Sequence, residues 1–265
     1  MTEDEEADYI RQGKRVPRAL RFSTGPFNSG DGPWEVRGFT SGVNPATGNP
    51  TAPAFQRIYK GDGTSEEHNT NSNLEFHQGH GHWHTSIATY ELFEVPAPAF
   101  PSSPCPLSAA LNGVKLTESS VGKKLGFCAT DQGLFDWGRF YQARRDRWQD
   151  ERCREDSDNL DPEAFQTCLL TGCSSPTRPV IGLSVGWGDT YAWARLEQFV
   201  EFPEHDGHPK PGCYLLHATF DKSSKFEESN EHDNTSFAYF QVDPSLDPKN
   251  SSKIMIIRSG HGVGP

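Results

Sequence analysis

No stretch of this chain is apolar for long enough to cross a membrane as a helix, which takes about 20 residues. Basic residues are scarce as well: 25 Lys and Arg against 36 Asp and Glu leave a formal charge of −11. Neutralising a phosphate backbone needs a basic surface, so nucleic acid is excluded as a partner. An acidic surface draws in cations instead, amines and lysine-rich proteins among them. Long helical periods are few and no internal repeat is present, which excludes helical bundles and solenoids. None of the six cysteines (Cys105, Cys128, Cys153, Cys168, Cys173, Cys213) has a partner at C-x-x-C spacing, so zinc knuckles and thioredoxin-type motifs are absent. The opening residues Met1-Thr2-Glu3-Asp4-Glu5-Glu6 lack the basic-then-apolar order of a secretory signal.

What is present points to an all-β fold. Short runs of β-forming residues, such as Trp34-Glu35-Val36-Arg37 and Phe55-Gln56-Arg57-Ile58-Tyr59, alternate with Gly/Pro/Asn/Asp/Ser clusters. With 25 Gly and 20 Pro, that pattern predicts a β-sandwich-like core of mainly antiparallel strands with long loops and little helix. Cys213 to Phe220 reads as a strand with Tyr214, Leu216, Ala218 and Phe220 on its buried face, and Ser236 to Val242 as its hairpin partner. The expected organisation is a charged tail over 1–17, one domain over 18–243 and a polar tail over 244–265. An even cysteine count favours disulfides and an oxidising compartment, against the alternative of free buried thiols in a cytosolic protein.

The most telling segment is Phe76-His77-Gln78-Gly79-His80-Gly81-His82-Trp83-His84, which gathers four of the ten histidines. Imidazole is a preferred ligand for copper, zinc, nickel and iron, so the run predicts a metal centre. On a flat strand His80, His82 and His84 would share a face, with the outer two about 13 Å apart. One ion cannot hold all three unless the chain bends, and Gly79 and Gly81 are where the backbone is free to do so. His77 is open between a fourth ligand, a partner orienting one of the others and a surface residue. Ser86 to Val95 follows with strong β propensity and anchors the run.

A second constellation is Ile181 to Tyr191, a β run that ends in a glycine-rich aromatic turn with Asp189-Thr190-Tyr191 beyond it. Together the two resemble the catalytic domain of the lysyl oxidase family, in its compact microbial form, over Leu20 to Val242. His77-x-x-His80-x-His82-x-His84 is similar to the family's copper motif, Lys124-Leu125-Gly126-Phe127-Cys128-x-x-Asp131 to the segment with its cofactor lysine, and Asp189-Thr190-Tyr191 to that with its cofactor tyrosine. Lys124 rather than its neighbour Lys123 has the motif's four-residue offset from Cys128. Outside Cys128 the cysteine pattern departs from the animal enzymes.

The resemblance implies an extracellular, copper-dependent amine oxidase acting on lysine-containing proteins or other primary amines, with dioxygen as oxidant. Copper would be held by His80, His82 and His84, and the cofactor, lysine tyrosylquinone, would form from Lys124 and Tyr191. Asp189 is the candidate proton acceptor, with a turn-capping carboxylate as the plain alternative. Glu228, Asn230, Asp233 and Asn234 are similar to a late acidic turn that in some members helps bind calcium. Trp83, Trp187 and Trp193 are candidates to wall the site, or ordinary packing. The competing functions are a metalloenzyme without quinone, either a zinc hydrolase or a copper or iron oxygenase, and a non-catalytic metal-binding sandwich.

Overall fold

A computed structural model describes residues 2–62, 64–77, 81–97, 105, 117–122, 126–139, 177, 179–243 and 254–261. Every strand pairing among the described residues is antiparallel, and two sheets dominate. The seven-stranded sheet contains β2 (Trp34–Arg37), β3 (Gly42–Val43), β4 (Pro50–Tyr59), β5 (Ser65–His77), β6 (His82–Ser86), β9 (Gly126–Phe127) and β11 (Val180–Leu183). Its order is β11-β2-β4-β5-β6-β9, with β3 on the end of β4. The five-stranded sheet has the order β18-β17-β16-β7-β8, from β18 (Ile254–His261), β17 (Thr235–Val242), β16 (Gly212–Phe220), β7 (Ala88–Val95) and β8 (Thr117–Val121). Short pairs join β1 (Arg18–Arg21) to β13 (Phe199–Phe202), β10 (Gly133–Leu134) to β12 (Trp187–Gly188) and β14 (Glu204–His205) to β15 (His208–Pro209). The mainly antiparallel all-β fold read from the turn and strand pattern is therefore observed.

Alternation along the strands builds the core. Tyr90, Leu92, Tyr214, Leu216, Ala218, Phe240 and Val242 of the five-stranded sheet pack with Phe127, Tyr191, Val200 and Phe202. Val36, Ala52, Ala54, Leu74, Trp83 and Ile181 of the seven-stranded sheet form a second cluster with Phe226. Phe127 carries β9 into the first cluster and Ile87 touches both, so the two sheets share one interior. Strand β16 is buried on both faces rather than the one expected, because Cys213 and Leu215 pack with Val95, Cys105, Phe237 and Tyr239 on the far side.

A disulfide joins Cys105 to Cys213 across a sequence separation of 108. Cross-linking so long a loop removes much denatured-state entropy, so replacing both cysteines by serine is expected to cost about 2–5 kcal/mol in a denaturant titration. Cys128 is also disulfide-bonded, and Cys153, Cys168 and Cys173 lie outside the described residues, as does the charged passage from Phe140 to Asp156.

Both supposed tails contain structure. Residues 1–17 include helix α1 (Glu3–Arg11), closed at its start by a capping box in which Thr2 and Glu5 exchange side-chain to backbone hydrogen bonds. Acidic residues fill its first turn and Arg11 its last, which suits the helix dipole. Within 244–265, the β-branched run around Ile254-Met255-Ile256-Ile257 pairs with β17 as an edge strand. Charge and polarity nearby masked both elements.

Glu5 fixes α1 to the body of the protein. Burial alone would raise its carboxyl, yet Arg21 and the amides of Thr2 and Glu197 outweigh burial and hold it below the usual carboxylate range. A depressed folded-state value adds stability above the unfolded-state value of about 4.3, and this is lost as pH falls through the folded one. Acidification below about pH 4 is therefore expected to raise hydrogen exchange in α1 before the main sheets open, and Glu5→Gln to remove that step.

Candidate metal centre

The β5–β6 hairpin puts the histidines together. Register pairs His77 with His82, Phe76 with Trp83 and Glu75 with His84. Directly opposed residues share a face, so Glu75, His77, His82 and His84 lie on one side of the hairpin while Phe76 and Trp83 turn to the other. Trp83 belongs to the core there, in edge contact with Phe76, and so does not wall the histidine face. Gly81 adopts φ +70 and donates its amide to the His77 carbonyl at 2.8 Å, which makes the reversal the histidine spacing demands. The chain reverses between His77 and His82, and His82 to His84 run on as regular strand.

His77 and His84 have ring centroids 4.1 Å apart, and His82 and His84 4.7 Å. His84 is buried. Of the residues read as copper ligands, His82 and His84 are in place side by side, whereas His80 lies outside the described residues. His77, left open by the sequence, joins the cluster through hairpin register. No spacing rule would have singled it out. The rings pack at tilts of 35° and 42°, and among the described residues no three His, Cys, Asp or Glu side chains converge as metal ligands. Imidazole is the donor type that copper and zinc sites favour, and three such rings stand together on this face.

Glu75 supports this face. Burial would raise its carboxyl, but Thr47, Asn49 and Asn44 donate hydrogen bonds at 2.6, 2.8 and 2.7 Å and keep it below the usual range, with His77 adding in the same direction. It is held as an anion beside the imidazoles.

Strand β9 sits on the far edge of β6, pairing Thr85 with Phe127 and Ser86 with Gly126. Gly126 therefore shares the histidine face. A Cβ there would stand 3.3 Å from the His84 Cβ and 3.4 Å from its Nδ1, so even one methyl presses on the ring. Gly126→Ala is expected to weaken metal binding about tenfold by tilting His84, as measured by competition with a chelator, while leaving the fold intact. Lys124 lies outside the described residues, two positions before this glycine.

Tyr191 reaches the same segment from the interior. It is buried, its hydroxyl donates to the Cys128 carbonyl at 3.0 Å, and its ring meets Phe127 edge-on with centroids 4.3 Å apart. Phe127 faces away from the histidines, so the phenol approaches β9 from the side opposite the imidazoles. The Arg195 guanidinium lies 5.4 Å from the centre of the tyrosine ring, a cation–π contact no sequence pattern announced.

Asp189 is fully buried, with the Tyr191 hydroxyl and the Thr130 and Thr190 amides as its polar neighbours. Burial raises its carboxyl, opposed by hydrogen bonds from the Tyr191 hydroxyl and the Thr130 amide and by the Arg195 charge. The phenol of Tyr191 is pushed up in turn, first by burial and then by the charge of Asp189. Asp189 is thus no surface turn cap. Asp131 caps the turn before β12, taking Ser184 N and Oγ at 2.8 and 2.6 Å. Trp187 is buried, and Trp193 is exposed at the surface two residues beyond Tyr191.

The late acidic turn is a separate feature. Burial raises Glu228 to about 7 against the Asn234 side chain, and Glu231, Asp221 and Asp233 push it further the same way. Asp233 accepts from Ser29 Oγ at 3.3 Å and Asn230 from the His232 amide at 3.1 Å. These contacts organise a loop. No family model matches the chain, and no curated protein matches it either.

Proposed function

We propose that the protein is a copper- and quinone-dependent amine oxidase that turns peptidyl-lysine or another primary amine, with dioxygen and water, into an aldehyde, ammonia and hydrogen peroxide. The observation that carries this reading is the stack of His77, His82 and His84 on one hairpin face, joined through β9 to the backbone that holds the Tyr191 hydroxyl. His82 and His84, with His80, would hold the copper, and His77 and Glu75 would orient their rings. Copper would supply electron exchange with a phenol and with dioxygen, which zinc does not.

The chain's own groups supply the rest. Cys128 fixes the phenolic hydrogen of Tyr191 through its carbonyl, and the Phe127 edge and Arg195 hold the ring from two directions. Burial excludes water from the phenol. Asp189, whose carboxyl is raised by burial, is the residue assigned here to accept the proton that leaves the substrate carbon. Lys124 is assigned the amine that joins Tyr191 in the mature cofactor. The acidic surface would favour cationic amines at the encounter stage.

One observation favours the competing metalloenzyme: the tyrosine ring and the imidazoles flank β9 from opposite sides. A metal site that works without the tyrosine would need no motion to unite them. The separating experiment is peroxide release from a panel of primary amines after incubation with Cu(II) in air, with phenylhydrazine as a trap for a quinone. The oxidase reading expects peroxide and a visible adduct, both lost in Tyr191→Phe. Turnover that survives Tyr191→Phe and fails in His82→Ala would establish the metal-only enzyme instead.

A further inference from the structure

Two side chains far from Tyr191 in sequence grip the segment that follows it. Arg21 on β1 donates from Nε to the Trp193 carbonyl at 2.6 Å and from Nη2 to the Arg195 carbonyl. Its Nη1 meets Glu5 Oε2 of α1 at 2.6 Å. Glu5 in turn accepts the backbone amide of Glu197 and is itself buried. Glu197 has φ +61, a left-handed conformation that a side chain with a Cβ rarely adopts. Such strain persists where surrounding contacts over-determine it, and the Glu5 carboxylate on that amide is such a contact.

The same segment carries Arg195 back over the Tyr191 ring. On the near side Thr24, three residues beyond Arg21, exchanges both backbone hydrogen bonds with Tyr191, at 2.8 and 3.0 Å. Tyr9 adds a second tie from α1, donating its hydroxyl to Glu201 at 2.7 Å. The stretch from Tyr191 to Glu201 is thereby held at both ends by residues 5–24.

We infer that Glu5 and Arg21 are positioning residues for Tyr191, acting through the Trp193–Glu197 turn and the Arg195 guanidinium, so that α1 is part of the tyrosine site. This rests on Tyr191 being the cofactor residue for its catalytic consequence, but not for its structural one. Removing the Glu5 charge leaves Arg21 without its anion and weakens the bond that the Glu197 amide donates, since a neutral carboxamide oxygen accepts less strongly. The turn then relaxes and Arg195 leaves the ring.

The test is hydrogen exchange on the full chain, read on peptides spanning 190–198, with β16 as the internal reference for global folding. Glu5→Gln is expected to speed exchange at 190–198 about tenfold, as loss of a charge-assisted hydrogen bond would, with β16 unchanged. Arg21→Met should do the same, and Glu5→Gln decides alone if that variant fails to fold. A second reading is the rate at which the phenylhydrazine-reactive pigment forms with Cu(II): slowed in Arg195→Gln, restored in Arg195→Lys, with copper affinity unmoved. Unchanged exchange at 190–198 in Glu5→Gln overturns the inference. If the unaltered chain forms no pigment, the oxidase reading falls, and the exchange result still decides this one.

Discussion

Replacing His84 by alanine is expected to lower Cu(II) affinity by more than about 100-fold, well beyond the loss typical of a residue that only orients a ligand. His84 is the centre of the cluster, with its ring against both His77 and His82 and its own surface almost wholly removed from solvent. Buried imidazole is also structural, so the variant needs a check on folding. Circular dichroism and the unfolding midpoint supply that check. His68→Ala is the matching control, because His68 lies on β5 outside the hairpin cluster and pairs with Glu227 at 2.9 Å. Copper titration followed by electron paramagnetic resonance should show the same nitrogen ligation in the unaltered chain and in His68→Ala, and fewer nitrogen ligands in His84→Ala. Nitrogen ligation undiminished in His84→Ala would move the metal elsewhere.

Tyr191→Phe has the second large expected effect: complete loss of pigment and peroxide with copper affinity unchanged within about twofold, since the residue is not proposed as a ligand. Phenylalanine keeps the ring against Phe127 and under Arg195. The hydroxyl bond to Cys128 and the contact with Asp189 are lost, each at a cost of about 0.5–1.5 kcal/mol, so the fold should survive. The effect is then chemical. Burial, followed by the nearby Asp189 charge, keeps this phenol protonated at ordinary pH. Its oxidation must therefore release a proton as well as electrons, and Asp189, a buried carboxylate two residues before it, can receive one when ionised. The sign follows from its raised value: pigment formation should fall as pH drops below that value, and Asp189→Asn should flatten the profile.

Much of this was legible in the residues. Strands β16 and β17 were readable because their alternation is regular and their hydrophobic content high, and they pair in the register that alternation requires. The histidine run marked itself by composition, and Gly81 marked the turn of the hairpin by its freedom at positive φ. His77 was not resolved, because its role depends on which residue faces it across the hairpin. Long-range partners were equally hidden. Nothing local to Glu5 says that it will meet Arg21 and the Glu197 amide, so α1 read as a charged tail. Cys105 found Cys213 across 108 residues, one choice among many that spacing cannot rank. Arg195 stands four residues after Tyr191 in a non-helical segment, where no periodicity predicts contact.

The opposite placement of phenol and imidazoles about β9 makes the joined cofactor the sharpest point of the account. Its direct test is peptide mass spectrometry of the full chain after incubation with Cu(II) and air. The account predicts a single species linking the peptides that contain Lys124 and Tyr191, absent from Tyr191→Phe and from His82→Ala. Recovery of both peptides, separate and unmodified, from a fully copper-loaded and oxygen-exposed chain would contradict it.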